Sequence, residues 1–156
     1  MCGIVGLYFK KKKFHKNLGK YLSGMLDNMS SRGPDSAGFA IYNNDSQKFY
    51  KFSLCINDNL IIDDFKIDIS NKFKDVTFKI ISDHLVLKTL SSPKTVIPYI
   101  KKKYDNILIV GYGKCIEIFK QVGNPREIVK KFNLKSFSGS HGVGHTRMAT
   151  ESAITI

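Results

Sequence analysis

The sequence is poor in cysteine, and the few cysteines that it has follow no recognisable pattern. Cys2, Cys55 and Cys115 are an odd number, with no Cys-x-x-Cys motif and no histidine at a metal-binding spacing. A disulfide framework and a zinc site both depend on such patterns. We therefore expect no metal and no cofactor, and a reducing cytoplasm fits best.

A secretory leader and long hydrophobic runs are also missing. The apolar start at 2–9 is followed by the basic residues 10–13, which reverses the order found in a signal peptide. The run is far shorter than the ~20 residues of a membrane helix, and no later segment is longer. These absences predict a soluble cytoplasmic protein with no membrane partner.

Arginine is scarce, although the chain is strongly basic. The formal net charge of +12 raises a nucleic-acid hypothesis, because clustered cations bind phosphate backbones. However, only Arg32, Arg126 and Arg147 are arginines, and base recognition favours the arginine fork over lysine. We interpret the lysines as a solvated surface and expect no nucleic-acid partner. A basic nucleic-acid-binding domain is the weaker alternative.

The composition is sufficient for a folded core. The 156 residues are 42% hydrophobic, which predicts one globular domain. Residue patterns predict strands at 3–9, 37–42, 48–54, 76–81, 106–110 and 142–149, and helices at 18–30 and from 125 onward. Asn17 and Asn124 are expected to cap these two helices.

Some segments are less informative. The range 43–45 is expected to be a hairpin-like turn, and 115–119 fits a strand or a helix. The range 111–113 follows a strand but lacks the third glycine of a dinucleotide fingerprint, so we interpret it as a turn. The middle of the chain, 55–105, carries no readable chemistry and is interpreted as scaffold.

Cys2 has the most informative chemistry. Methionine is normally removed before a small residue, which leaves a thiol and a free α-amine on one residue. An α-amine ordinarily has a pKa of about 7.7 to 8.0 and a thiol about 8.5, so one residue can supply nucleophile and general base. On Cys2 alone, a buried structural cysteine is the favoured interpretation.

Three segments change that balance. The sequence has MCGIVG at 1–6, SRGPDSAG at 31–38 and GHTRMATES at 144–152. In this order they resemble the three successive signatures of class II glutamine amidotransferases. The resemblance implies an α/β (α+β) fold, the αββα four-layer sandwich of the N-terminal nucleophile hydrolases. The range 1–156 would then be the N-terminal part of a single domain, incomplete at its C-terminus.

The resemblance also implies an activity. Cys2 attacks the side-chain amide of glutamine, its own α-amine moves the proton, and hydrolysis of a thioester gives glutamate and ammonia. Arg147 binds the α-carboxylate of the substrate, because a planar guanidinium can donate two parallel hydrogen bonds to a carboxylate. Thr150 adds a contact or is structural, and Met148 lies beside them at the substrate.

The other residues of these segments are open to two interpretations. Arg32 and Gly33 lie in a turn that the family places beside the terminal amine. Arg32 could instead form a structural ion pair, and Gly33 could serve a positive φ. His145 invites a Cys-His dyad, but a histidine in a strand is more often a core residue. The remaining histidines, including His84, have no partners at a readable spacing.

The range 113–152 is most similar to the glutamate synthase type of amidotransferase domain. Met148 and Glu151 stand where glucosamine-6-phosphate synthase has Trp and His, which argues against a sugar-phosphate product. An ammonia-accepting synthase domain or subunit is the expected partner.

In the family the oxyanion donors, an Asn-Gly pair, follow the arginine segment, and the sequence ends at Ile156 before one appears. We therefore expect this chain alone to be inactive. A non-catalytic regulatory or interaction module on the same fold is the alternative.

Overall fold

The chain folds into helices and two sheets. The computed structural model describes residues 2–43, 47–56 and 62–149. In chain order its elements are β1 (Gly3–Tyr8), α1 (Leu18–Asn28), β2 (Ser36–Tyr42), β3 (Tyr50–Ile56), α2 (Ile62–Lys72), β4 (Thr77–Ile81), β5 (His84–Thr89), α3 (Pro93–Lys103), β6 (Ile107–Gly113), β7 (Ile116–Val122), α4 (Pro125–Lys131) and β8 (His141–Arg147). The chain divides into two compact units, one drawn from 1–44 and 118–156 and the other from 45–117.

The first unit is built on a sheet with the strand order β1-β8-β2-β7. Strand β8 is antiparallel to β1 on one side and to β2 on the other. Its partners across the sheet start at Gly3↔Thr146 and Ser36↔Arg147. Segments from opposite ends of the sequence are therefore direct neighbours in this sheet.

One face of this sheet carries the core of the first unit. Side chains of a strand alternate between faces, so every second residue of β2 and β8 points to the same side. Ala37, Phe39 and Ile41 of β2 are buried, as are Leu22 and Leu26 of α1. Phe39 stacks on Phe119, and both rings also contact Phe132 and Phe137. The alternate residues, among them Ile4, Tyr8 and Val143, are exposed.

The second unit has its own sheet, with the order β4-β5-β3-β6, and its own core. That core combines residues of β3, β5 and β6 with residues of α2 and α3, namely Phe52, Leu54, Ile56, Phe65, Ile69, Leu85, Leu87, Val96, Ile100 and Ile107. The residues of β3 on the face opposite this core are also buried, and they include polar side chains. Lys51 is one of them, and its Nζ lies 2.9 Å from Oε1 of Glu117.

Most of the predicted elements are present. The strands at 3–9, 37–42, 76–81 and 142–149 and both predicted helices are found within a few residues of their expected ends. The range 115–119 is strand. Asn124 caps α4 as expected, since its Oδ1 accepts a hydrogen bond from the N–H of Arg126 at 3.0 Å. Asn17 precedes α1 but makes no side-chain capping bond.

Two interpretations of the sequence are wrong or incomplete. The range 111–113 is not a turn but the end of β6, where it pairs with β3. Glycines do not prevent pairing there, because the partner strand supplies the hydrogen bonds. The scaffold at 55–105 contains α2, β5 and α3, which were not recognised. The turn expected at 43–45 lies mostly outside the described residues.

The fold class agrees with the sequence. The described residues form four α-helices and two antiparallel sheets, which is the α+β class. The four-layer sandwich of the N-terminal nucleophile hydrolases stays a prediction. No helix within 2–43, 47–56 and 62–149 has the length and apolar character needed to cross a membrane.

Candidate active site

The first unit brings Cys2 and Arg147 to the same end of one sheet. Cys2 directly precedes β1, and Arg147 is the last residue of β8. The two strands are antiparallel with Gly3 opposite Thr146, so continuing the register by one residue sets Cys2 opposite Arg147. Opposite residues of an antiparallel pair have Cβ atoms about 4.5–5.5 Å apart. The two residues are therefore cross-strand neighbours at this end of the sheet.

The strand alternation also gives Cys2 and Arg147 the same face. Along β1 the exposed residues include Ile4 and Tyr8, and Cys2 has the same parity. Along β8 the buried residues alternate with less buried ones on the opposite face, and Arg147 is the last residue of this less buried set. Cys2 is exposed, so its thiol is accessible to a reagent or substrate. The interpretation of Cys2 as a buried structural residue is wrong.

A cleft of about 430 Å³ lies on this face of the sheet, within the first unit. Its lining comes from three strands, with Ser36 and Ala40 from β2, Gln121 from β7, and His145 and Arg147 from β8. The volume falls within the range of small-molecule sites. Arg147 is the lining residue nearest to Cys2 in the strand register, and Cys2 itself is not among the described residues that line the cleft.

The turn at 33–35 holds the backbone of Arg147 from the other side. Pro34 forms a parallel bridge with Arg147, and the N–H of Asp35 donates to the Arg147 carbonyl oxygen at 3.1 Å. Gly33 packs closer still. A Cβ at Gly33 would lie 2.7 Å from the Arg147 nitrogen and 2.7 Å from the Thr146 carbonyl carbon. No side chain fits in that space.

This contact corrects one alternative for Gly33. Its φ is not positive, because Gly123 is the positive-φ glycine among the described residues. The requirement for glycine is steric rather than conformational, since the second sequence segment must approach the backbone of the third. Sequence reasoning could not distinguish these causes, because both produce a glycine in a turn.

Asp35 is the residue of this turn that sequence reasoning left without a role. Its Oδ2 accepts a hydrogen bond from the N–H of Ala149 at 2.7 Å, and its carbonyl oxygen accepts one from the N–H of Gly123 at 2.8 Å. Asp35 therefore joins the ends of β7 and β8. The segment that follows Arg147 is held in place by a carboxylate outside its own strand.

The remaining predicted site residues have different outcomes. Met148 follows β8 directly and is 46% exposed, at the same sheet end as Cys2. Arg32 is exposed in the turn after α1 and makes no ion pair with another described residue, so the structural ion pair is not found there. Thr150 and Glu151 lie outside the described residues.

His145 is not the core residue that its strand position suggested. It is exposed on the cleft face, opposite Ile4 on β1 and Gly38 on β2. The alternation of β8 determines this, because glycines 142 and 144 occupy the covered face. His145 is therefore diagonal to Cys2 in the sheet.

Comparisons with known proteins give an independent view of the chain. It is 38% identical over 160 residues to the glutamine amidotransferase-like protein GlxB of Rhizobium meliloti. It is 30% identical over 165 residues to a protein of Methanothermobacter thermautotrophicus that carries a provisional glutamine amidotransferase name. Both alignments cover 99% of this chain but only 52% and 54% of the relatives.

The chain thus spans about half the length of the curated relatives that it matches. No protein-family model matches it. The two similarities support a relationship to the glutamine amidotransferases.

Proposed function

We propose that this chain carries the nucleophile and the substrate clamp of a class II glutamine amidotransferase. The reaction is hydrolysis of the side-chain amide of glutamine, with Cys2 as N-terminal nucleophile and Arg147 as ligand of the substrate α-carboxylate. One observation carries the proposal. The register of β1 on β8 brings an exposed Cys2 to the sheet end and the face where Arg147 lines a cleft.

The nucleophile and the base are both groups of the mature N-terminus. The Cys2 thiolate attacks the amide carbon of glutamine, and the α-amine of the same residue holds the proton taken from the thiol. That proton passes to the departing nitrogen, so ammonia leaves and a thioester with the glutamyl group remains. Water then adds to the thioester, the amine accepts its proton, and glutamate is released.

Arg147 orients the substrate. Two parallel N–H donors of a guanidinium match the two oxygens of a carboxylate, which fixes direction as well as position. The Asp35 and Gly33 contacts keep the Arg147 backbone in place at the cleft. Met148, next in the chain, contributes an apolar side chain beside the clamp.

The ammonia is proposed to pass to a synthase domain or subunit of the glutamate synthase type. This finer assignment depends on the similarity of 113–152 to that branch, with Met148 and Glu151 at the positions that distinguish it. Thr150 is kept as a second substrate contact, and Arg32 as a residue near the amine.

Labelling with a glutamine-mimicking diazo-ketone tests the proposal in the protein as its gene encodes it. Cys2 is exposed, Cys55 is buried and Cys115 is intermediate, so accessibility alone already favours Cys2. The analogue must therefore be compared with a small neutral alkylating agent. We expect the analogue to label Cys2 faster than the neutral agent does, and free glutamine to protect it.

Arg147→Lys separates recognition from simple thiol reactivity. The variant should slow labelling by the analogue and leave neutral alkylation unchanged. Equal labelling rates for both reagents, with no protection by glutamine, would indicate an ordinary exposed thiol and favour the non-catalytic module. The intact mass of the protein from its native host must also correspond to a chain that begins at Cys2, because a retained methionine would block the α-amine of Cys2.

His145 is exposed on the cleft face, so it is the alternative to the Cys2 α-amine as general base. His145→Asn should retain activity if the α-amine is the base, whereas an added N-terminal residue should abolish it. The reverse pattern would assign the proton transfer to His145.

A further inference from the structure

A second group of chemically reactive side chains lies in the second unit, on segments that the proposed active site does not use. Cys55 on β3 and His84 on β5 are direct partners across two antiparallel strands. Asp83 immediately precedes β5. A thiol sulfur, a carboxylate oxygen and an imidazole nitrogen from these residues all lie within 4.8 Å of one another.

The backbone holds these three residues in place. Ile81 pairs with His84, so Ser82 and Asp83 form a two-residue hairpin loop, and Ser82 has the positive φ of 57° that such loops require. The carbonyl oxygen of Asp83 also accepts a hydrogen bond from the N–H of Ile56 at 2.9 Å. The loop is therefore tied to β3 next to Cys55, and the cluster is fixed by three strands.

The surroundings exclude water from two of the three groups. Cys55 is 2% exposed and His84 is fully buried, whereas the Asp83 side chain is partly exposed. Nδ1 of His84 lies 2.9 Å from Oδ1 of Asp83. Solvent can reach the cluster through the aspartate while the sulfur and the imidazole stay shielded.

We propose that Cys55, Asp83 and His84 bind a divalent transition-metal ion of the zinc class. Thiolate, imidazole and carboxylate are the donors that zinc uses, and three protein ligands leave one coordination position for water. Bonds of about 2.0–2.3 Å to a tetrahedral ion separate the ligand atoms by roughly 3.3–3.8 Å.

Binding has a defined proton balance. The Cys55 thiol loses its proton when the sulfur becomes a ligand, and the proton leaves to solvent. Asp83 then exchanges its contact with His84 for the metal. The ion would join the β4–β5 loop to β3, and its fourth position would stay open to water. This inference goes beyond the proposed amidotransferase activity and does not depend on it.

Cobalt binding tests the inference directly, because a thiolate bound to Co²⁺ gives a charge-transfer absorption band. The full chain should carry Cys2→Ala and Cys115→Ser, since an N-terminal cysteine can itself chelate metals and Cys55 is then the remaining thiol. We expect one Co²⁺ per chain, a thiolate band, and loss of that band when Zn²⁺ is added. A folded chain without the band would overturn the inference.

Variants locate the site. His84→Gln should weaken Co²⁺ binding by more than about tenfold. Because His84 is buried, folding is checked by circular dichroism, and Asp83→Asn in the hairpin loop provides a second variant that should also weaken binding. Asp75→Asn is the matched control, an aspartate with positive φ of the same unit outside the cluster, and should bind normally. Unchanged affinity in a folded Asp83→Asn or His84→Gln would show that the ion binds elsewhere.

Discussion

Asp35 accepts a hydrogen bond from the N–H of Ala149 at 2.7 Å, and this bond connects the second and third sequence segments. The carboxylate thereby holds the chain just beyond Arg147. The two residues are 114 positions apart in sequence. The bond exists because β2 and β8 are neighbours in the sheet, so the turn before β2 meets the segment after β8.

Asp35 is expected to act as a positioning residue. Asp35→Ala removes a hydrogen bond to a charged acceptor, which contributes about 1.5–3 kcal/mol. The Arg147 segment should loosen, so KM for glutamine should rise more than kcat falls. Asp35→Asn keeps an acceptor oxygen and should recover part of the loss. Steady-state glutaminase kinetics of both variants, made in the protein as its gene encodes it, check this, and a fall in kcat with unchanged KM would contradict it.

Gly33→Ala is expected to destabilise the first unit. The added methyl carbon would meet backbone atoms of Thr146 and Arg147 at 2.7 Å, and backbone cannot move aside as a flexible side chain can. Overpacking of this kind costs about 1–3 kcal/mol. Gly6→Ala is the matched control, because a Cβ at Gly6 meets nothing within 4 Å. Urea unfolding midpoints of the two variants should differ, and similar midpoints would show that the turn can relax.

In the protein as its gene encodes it, Arg147→Lys should raise KM for glutamine while the fold is retained. Lysine keeps the charge but loses the bidentate geometry. A hydrogen bond to a charged group contributes about 1.5–3 kcal/mol, which corresponds to about tenfold or more in KM. Arg126→Lys is the control, since Arg126 pairs with Asp27 at 2.7 Å on the surface. Equal KM values for the two variants would mean that Arg147 does not bind the carboxylate.

The second unit should lose stability at high pH. Partial burial and the hydrogen bond to Asp68 raise the pKa of Tyr104 from 10.0 to about 12. A raised folded pKa gives stability that is complete below pH 10 and is lost as the pH rises towards 12. Tyr104→Phe should remove this alkaline dependence, and Tyr112→Phe, an exposed tyrosine, should not. Unfolding midpoints measured from pH 8 to 12 check the difference.

Asp68, which accepts a hydrogen bond from the Tyr104 hydroxyl at 2.6 Å, predicts an effect at low pH. Partial burial disfavours the Asp68 carboxylate, but hydrogen bonds from Lys103, Tyr104 and Tyr99 outweigh it and lower the pKa of Asp68 below 3.8. Stability from a depressed pKa is present above pH 3.8 and is lost as the pH falls through the folded value. Asp68→Asn should therefore flatten the acid limb, and an unchanged acid limb would show that the cluster is too exposed to matter.

The sequence by itself determined the local structure of the first unit. Apolar spacing of 3.6 residues specifies α1, and Asn124 with Pro125 specifies the start of α4, because these signals act within one helical turn. The three segments at 1–6, 31–38 and 144–152 carry the resemblance to class II glutamine amidotransferases, and the proposed reaction rests on that resemblance. The exposure of Cys2 agrees with that interpretation.

Only the tertiary structure decided which residues meet. Strand register depends on hydrogen bonds between distant segments, and a shift of one residue would move every side chain to the other face. This is why the sequence could not show that Gly33 is needed for close packing or that His145 is exposed. It is also why Cys55 and His84 had no readable spacing: they are adjacent only because β3 pairs with β5.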